Sequence, residues 1–338
     1  MANRPEAAQA ELVPLVAALS KQMLFADPPD HTRLRGLVNK AFTPRTVEKL
    51  RLRIRQIADQ LLDRAAAAGE MDLIHNFAFS LPATVICEML GIPAEQRDQF
   101  KVWSDDAASW VGNVTGDLEV DRRTQRSLVE ASDYFAAFGA ELRTAPRDDV
   151  LSALVHAEQD GESLSLDELM ANAMLLLAGG HETTTNLIGN GLLALMRNPD
   201  QLQRLREDPG LVRTAIDEFL RYDSPAQLVA RLAVTDMAVG DQTFSPGTVL
   251  GFLIGAANRD SRQFDQPDRL DVGRPDNKHL SFAHGIHFCL GAALARAEAE
   301  IAITAILERF PNLRLATSEP RFLPNFTLRG LESLPVTW

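Results

Sequence analysis

Apolar residues recur along most of the chain at three- and four-residue steps, the period of helices that bury one face. Over 46–68 the stripe is Val47, Leu50, Ile54, Ile57 and Leu61, with arginines between. Thr43 and Pro44 stand ahead of it as a capping residue and a first-turn proline. Further helices are predicted over 81–90, stopped at Gly91-Ile92-Pro93, over 122–144, over 211–222, and from just after Cys289 to near Pro311. The longest is predicted to start near Ser165, which has Glu168 at capping-box spacing, and to end before Asn198-Pro199. About thirty residues at 1.5 Å each span roughly 45 Å. A helix that long and that apolar has to run through the middle of the protein.

Strand signals are few and late. Short, mostly apolar runs at 228–234, 237–239 and 248–250 are predicted as strands, with a turn at Pro246-Gly247. The fold class expected is therefore mainly α with a small β-sheet region. No repeat or linker divides the 338 residues, so one domain over 1–338 is expected.

Composition adds exclusions. A net charge of −12 disfavours a phosphate polyanion, so no nucleic-acid partner is expected. The longest apolar run, 173–180, ends in His181-Glu182 and falls short of the roughly 20 residues a membrane span needs. Charged residues within the first thirty leave no secretion signal, and a cytoplasmic location is expected. The two cysteines, Cys87 and Cys289, could form a disulfide, but in such a chain two thiols with at least one functional role fit better.

Cys289 sits in a segment rich in possible ligands, with His279, His284 and His287 nearby. A zinc site is conceivable, but zinc usually takes paired ligands at recurring spacings and a full set of four. A structural buried thiol is the plainer alternative. Gly285 and Gly291 bracket the cysteine, however, and glycine lets backbone approach a large flat ligand closely. A helix beginning near Leu290 would aim free N–H groups at the sulfur and stabilise a thiolate.

The string from Phe282 to Gly291, F-A-H-G-I-H-F-C-L-G, resembles the heme-binding loop of the cytochrome P450 family. Phe282, Gly285, His287, Cys289 and Gly291 hold the positions of that pattern. The resemblance implies a P450-like fold with the long central helix over the cofactor, heme b (iron protoporphyrin IX). It implies Cys289 as the proximal metal ligand and His287 beside a heme propionate. A thiolate on heme iron favours cleavage of the oxygen–oxygen bond.

Three other motifs agree. A-G-G-H-E-T-T-T, Ala178 to Thr185, places two glycines mid-helix at about 1 kcal/mol each relative to alanine. A close helix crossing would explain them; so would a groove opened in the helix over the cofactor, helped by threonines bonding back to helix carbonyls. The segment is similar to the family's oxygen-binding stretch, which implies catalytic roles for Glu182 and Thr183 in proton delivery. Glu218-Phe219-Leu220-Arg221 resembles the family's Glu-x-x-Arg pair, with Arg269 matching the third, supporting member. His31 and Arg35, four apart on a helix, and the later Arg231 resemble further propionate-binding residues, although a solvated basic face would also read this way. Two buried propionates need cationic partners.

The resemblance implies a soluble bacterial monooxygenase of secondary metabolism, similar to polyketide hydroxylases. It would insert one oxygen atom of O2 into a lipophilic small molecule, with electrons from a ferredoxin or flavodoxin and its reductase. Substrate contacts are expected from 10–24, 175–179, 226–229 and 323–327. Arg33, Lys40, Arg45 and Arg296 are candidates for a basic docking patch, or for a solvated face. Family members carry roughly sixty or more residues before the His31 region, against about thirty here. An early helix and outer sheet strands are therefore expected to be missing, with a sheet edge exposed. A heme-binding but catalytically impaired relative is the alternative that this departure raises.

Overall fold

The computed structural model describes residues 6–338 apart from 112, 114, 115, 160 and 318. Helices α1 (Glu6–Glu11) and α2 (Val13–Leu19) lead to α3 (Asp30–Ala41) and α4 (Pro44–Ala65). The Thr43 hydroxyl accepts the Thr46 N–H at 3.2 Å and so caps α4 as its sequence predicts. After strand β1 (Glu70–Asp72), a π-helical turn at Ile74–Ala78 runs into α5 (Ser80–Met89). The chain turns at Gly91, whose φ of +71° is open to glycine and strained for other residues. Helices α6 (Arg97–Val111), α7 (Leu118–Thr144) and α8 (Val150–Val155) follow, then the small hairpin β2 (Glu158–Gln159) and β3 (Glu162–Ser163).

The central helix α9 runs from Leu166 to Arg197, with both arms of the Ser165–Glu168 capping box formed. Its predicted extent is met almost to the residue. Helices α5, α6 and α7 pack along it, and α10 (Pro199–Glu207) and α11 (Val212–Tyr222) follow it in sequence and also touch it. Leu187, Ile188, Leu192, Leu193 and Leu195 of α9 are buried in one continuous core.

The later half holds β4 (Leu228–Leu232), β5 (Met237–Val239), β6 (Gln242–Phe244), β7 (Val249–Leu253), α12 (Ile254–Ala257), α13 (Ala292–Arg309), β8 (Arg314–Leu315) and β9 (Pro335–Thr337). Among the described residues β4 and β7 form a two-stranded antiparallel ribbon with Leu228 opposite Leu253. Leu232 and Val249, paired across it, are 59% and 67% exposed. Glycine 247, at φ +86°, makes the predicted turn. Among the described residues the one sheet of three strands, β1-β9-β8, was not visible in the sequence. Its strands are two or three residues long, too short for a period of two to register.

The Glu218–Arg221 pair is buried at 0% exposure on both sides, with two bonds of 2.8 Å. Its third member is not the expected Arg269. Arg274 donates from Nε to Glu218 Oε2 at 3.0 Å and is itself buried. The Arg269 side chain turns outward to Gln266; its carbonyl turns inward and accepts from both Arg221 and Arg274. The turn at Gln266, with a positive φ of 44°, swings backbone rather than side chain toward the pair. Resemblance of local sequence could not resolve which of two nearby arginines the loop would present.

Loss of Arg274 leaves Glu218 paired with Arg221 but removes one buried charged hydrogen bond, at about 1.5–3 kcal/mol. We expect Arg274→Ala to lower stability on that scale in urea unfolding. Arg269→Ala should stay within about 0.5 kcal/mol of the parent. Equal losses would return Arg269 to the network.

Candidate functional site

A cavity of about 310 Å³ lies between α9 and the segment that carries Cys289. One wall is α9, through Leu175, Leu176, Gly179, Gly180, Thr183 and Leu187. The opposite wall is the Phe282–Gly291 segment and the start of α13. Walls contributed by Val229 and Ile254 add further apolar surface.

The cysteine segment is shaped by its backbone. The Cys289 N–H donates to the Phe282 carbonyl at 2.9 Å, which closes a compact loop. Ala283 and Gly285 both take positive φ, 58° and 77°, to let it close. Phe282 is buried below it, with the Arg296 guanidinium 4.5 Å from its ring centre. Burial pushes the Cys289 thiol pKa up; the Gly291 N–H and the charges of Arg35 and Arg296 pull it the other way. Helix α13 begins at Ala292 with Gly291 as its cap, two residues later than expected, so it is the cap N–H that meets the sulfur.

His31, Arg35 and His287 line one rim, and Arg231 lies outside the lining but near enough for its charge to act on His287. The rings of His31 and His287 are 4.5 Å apart. Arg35 reaches across from α3 and donates to the Phe288 carbonyl at 2.7 Å. Arg231 lies on β4, exposed, its guanidinium bonded to the Ala230 carbonyl. Burial, and then the charge of Arg35, lowers the His31 pKa. His287 is lowered by burial, then by His31 and Arg231. Nε2 of His31 is buried and has no hydrogen-bond partner among the described residues. These groups repel one another's protonation, and an anionic ligand is what would relieve all of them.

Gly179 and Gly180 divide the two explanations offered for them. A Cβ on Gly180 would meet Ile86 Cγ1 of α5 at 2.9 Å, whereas one on Gly179 would meet nothing within 4 Å. The first is a packing glycine and the second borders open space. The helix itself does not open: α9 is continuous through this stretch, with Thr183 Oγ1 donating back to the Gly179 carbonyl at 3.0 Å.

Glu182 and Thr183 are neighbours in sequence but face different spaces. Thr183 lines the cavity. Glu182 faces a second, more polar hollow of about 840 Å³ between α6, α9 and the chain near 323–332. Burial raises the Glu182 pKa and Asp105 adds to it, while His181 and Lys101 act in the opposite sense. Asp105 and His181 are parts of this surround that the sequence did not single out. Neither was Glu298 of α13, which is 0% exposed, with no hydrogen-bond partner for either carboxylate oxygen among the described residues.

Other expected contacts fall elsewhere. Of 10–24 only Met23 and Leu24 line the cavity, and 323–327 do not reach it. Asn325 and Thr327 are held against α6 through the Ala108 and Val111 carbonyls, which draws that turn away. In the expected basic patch, Arg33 is paired with Glu168 and Glu162, and Arg296 with Asp217. Half of the patch is thus already neutralised.

A central helix over an apolar cavity, facing a glycine-bracketed cysteine loop, is the arrangement of heme-thiolate monooxygenases. The family model for cytochrome P450 matches residues 130–328. Cytochrome P450 107B1 of Saccharopolyspora erythraea is 49% identical over 94% of this chain and 77% of its own. The polyketide biosynthesis cytochrome P450 PksS of Bacillus subtilis is 44% identical over 94% of this chain and 78% of its own. Among solved structures, P450BioI in complex with hexadec-9Z-enoic acid ligated acyl carrier protein superposes with a TM-score of 0.93. It is 40% identical, and the match covers 97% of this chain and 84% of that one. The chain belongs to the cytochrome P450 family, and it is a monooxygenase with heme, iron protoporphyrin IX, as cofactor. The residues present fit that group, because the orphaned His31 Nε2 and the Arg35 and Arg231 charges, with Asp27 the acid that acts on both imidazoles, call for carboxylates at the rim. No helix among the described residues is long and apolar enough to cross a membrane.

Two predictions follow from this packing. Gly180→Ala should destabilise by about 1–3 kcal/mol through its collision with Ile86. Gly179→Ala should keep or raise stability, by up to about 1 kcal/mol from helix propensity, while narrowing the cavity; thermal unfolding of both proteins decides. Glu298 binds its proton more tightly folded than unfolded, since burial raises its pKa well above the ordinary range. Its contribution to stability therefore falls as pH rises above the unfolded carboxyl value, by at most about 1.4 kcal/mol per pH unit. Glu298→Gln should flatten the decline in urea midpoint as pH rises above about 5. An unchanged slope would mean Glu298 is not the source.

Proposed function

We propose that this protein hydroxylates or epoxidises a lipophilic small molecule, and that Cys289 is the proximal ligand of its heme. When bound, the heme activates O2, and the thiolate favours cleavage of the oxygen–oxygen bond. The observation that carries the assignment is Cys289 in the cavity wall opposite α9, where burial raises its thiol pKa and the Gly291 N–H, Arg35 and Arg296 work against that rise.

The other residues have separate tasks. His31, Arg35 and His287 bind the propionates, with Arg231 contributing from β4. Phe282 and Gly285 shape the loop, and Gly291 both donates to the sulfur and leaves room beside it. Thr183 donates its hydroxyl proton to the Gly179 carbonyl, so its oxygen keeps lone pairs free to accept from a protonated group in the cavity. Glu182 holds a proton on its carboxyl at the polar side of α9 and supplies it toward the cavity. Water reaches Glu182 through the larger hollow, not through the apolar cavity.

The substrate class rests on the cavity wall. Leucines, Ile86, Val229 and Ile254 dominate it, and the polar groups gather at the rim. P450BioI is in complex with hexadec-9Z-enoic acid ligated acyl carrier protein, and an acyl or polyketide-like chain suits this wall too. Electrons come from a ferredoxin or flavodoxin. With Arg33 and Arg296 paired internally, Lys40 and Arg45 are the members of the expected patch left for docking.

The test is a carbonyl-difference spectrum of the reduced protein. The thiolate-type band is expected in the parent and should be lost in Cys289→Ala. A thiolate-type band surviving that change would overturn the ligand assignment. Thr183→Ala should keep the band but divert consumed oxygen to peroxide, by about tenfold or more, in the range of acid–base contributions. Unchanged coupling of oxygen use to product would remove Thr183 from the relay.

A further inference from the structure

We propose that Asp105, His181 and Glu182 form a divalent-cation site of the zinc class on the polar side of α9, and that its occupancy suppresses turnover. Nε2 of His181 lies 3.9 Å from Asp105 Oδ1 and 3.9 Å from Glu182 Oε2. One ligand atom from each of the three residues fits within a span of 4.8 Å. The ring is 2% exposed, and Nε2 has no hydrogen-bond partner among the described residues.

The other ring nitrogen fixes what Nε2 presents. Nδ1 lies 3.3 Å from the Leu177 carbonyl, which can only accept, and 3.1 Å from the buried Ser104 hydroxyl. When Nδ1 carries the proton and donates to that carbonyl, Nε2 of the neutral ring presents a lone pair to the two carboxylates, the form that binds a cation. An imidazole that gives its far N–H to a backbone carbonyl is the usual support of a metal-binding histidine. Phe79 packs edge-on against the ring at 5.1 Å and holds it in place.

One imidazole and two carboxylates suit zinc and its neighbours. Ligand atoms around tetrahedral zinc stand about 3.3 Å apart for bonds of 2.0–2.1 Å. Closing from 3.9 Å at His181, and from a span of up to 4.8 Å over the three ligand atoms, asks the Asp105 side chain to move inward, which its 42% exposure permits. Lys101 holds only the other oxygen, Oδ2, at 2.7 Å, which leaves Oδ1 to turn inward. The hollow beside the three residues admits water to complete the coordination. The suppression of turnover rests on the reading of Glu182 as proton donor: a carboxylate bound to a cation cannot hold the proton it is meant to pass on.

The test uses the ferric holoenzyme and Zn²⁺ alone, by isothermal titration. One equivalent should bind to the parent, and Asp105→Asn and His181→Gln should each weaken binding by about tenfold or more. Asp105→Asn lies at the edge of the hollow, and its unchanged heme absorption would show that it folds. No binding by the parent, or equal binding by all three proteins, would overturn the site. Oxygen consumption is then followed with and without Zn²⁺. Slowing in the parent that Asp105→Asn relieves supports the full proposal. Binding without slowing keeps the cation site and refutes the proton role of Glu182 instead.

Discussion

A guanidinium and a carboxylate at zero exposure have to be saturated with hydrogen bonds, because an unpaired remainder costs more than the pair returns. Arg221 meets this demand by binding Glu218 twice and the carbonyls of Asn258, Pro267 and Arg269. Glu218 meets it with Arg274, Asn277 and the Asp271 N–H. Each of these partners lies on the long irregular segment between α12 and the cysteine loop. The pair therefore dictates the path of a stretch that has no regular structure to dictate its own. Asn258 extends the constraint: its side chain accepts the Leu280 N–H and donates to Ser224 and Ser281. Two residues further on, the Phe282 carbonyl receives the Cys289 N–H. Position of the sulfur is thus inherited, bond by bond, from a buried charge pair on α11. Such a network is better understood as specifying one conformation than as adding stability.

The rim of the cavity shows the opposite condition. His31, Arg35 and His287 crowd together without the internal saturation that Arg221 has, and both imidazoles are pushed toward their neutral forms. An arrangement that disfavours its own charge is unfavourable for the protein alone and favourable once a dianion supplies the missing partners. Cofactor binding then stabilises the fold by linkage. The cluster draws on α3, β4 and the cysteine loop, so heme would tie them together.

Much of this was legible in the sequence because helices carry their own signals. Capping residues set the starts of α4 and α9, and the apolar stripes set their faces. The cysteine loop was legible because its glycines and aromatic stand at fixed offsets. What failed depended on distance. The sheet β1-β9-β8 joins residues more than two hundred and fifty positions apart through strands of two or three residues. Arg274 displaced Arg269 because a single positive φ decides which side of the loop faces inward. Asp105 reaches the site from α6, and nothing in its own surroundings marks it.

The two glycines and the acid–alcohol pair of α9 yield to one geometric fact, that successive helical residues point about 100° apart. Gly180 turns to α5 and Gly179 to open space; Glu182 turns to the polar hollow and Thr183 to the cavity. The same four residues read as a linear motif resemble a single functional group. Wound into a helix, they become a partition with an apolar side and a wet side. A partition of this kind is what oxygen chemistry on a lipophilic molecule requires: bulk water must be kept from the reacting atoms while single protons are let through. It also places the acid where solutes other than water can reach it. The groups proposed to hold a proton there, a carboxylate beside an imidazole, are by the same chemistry groups that can hold a metal ion.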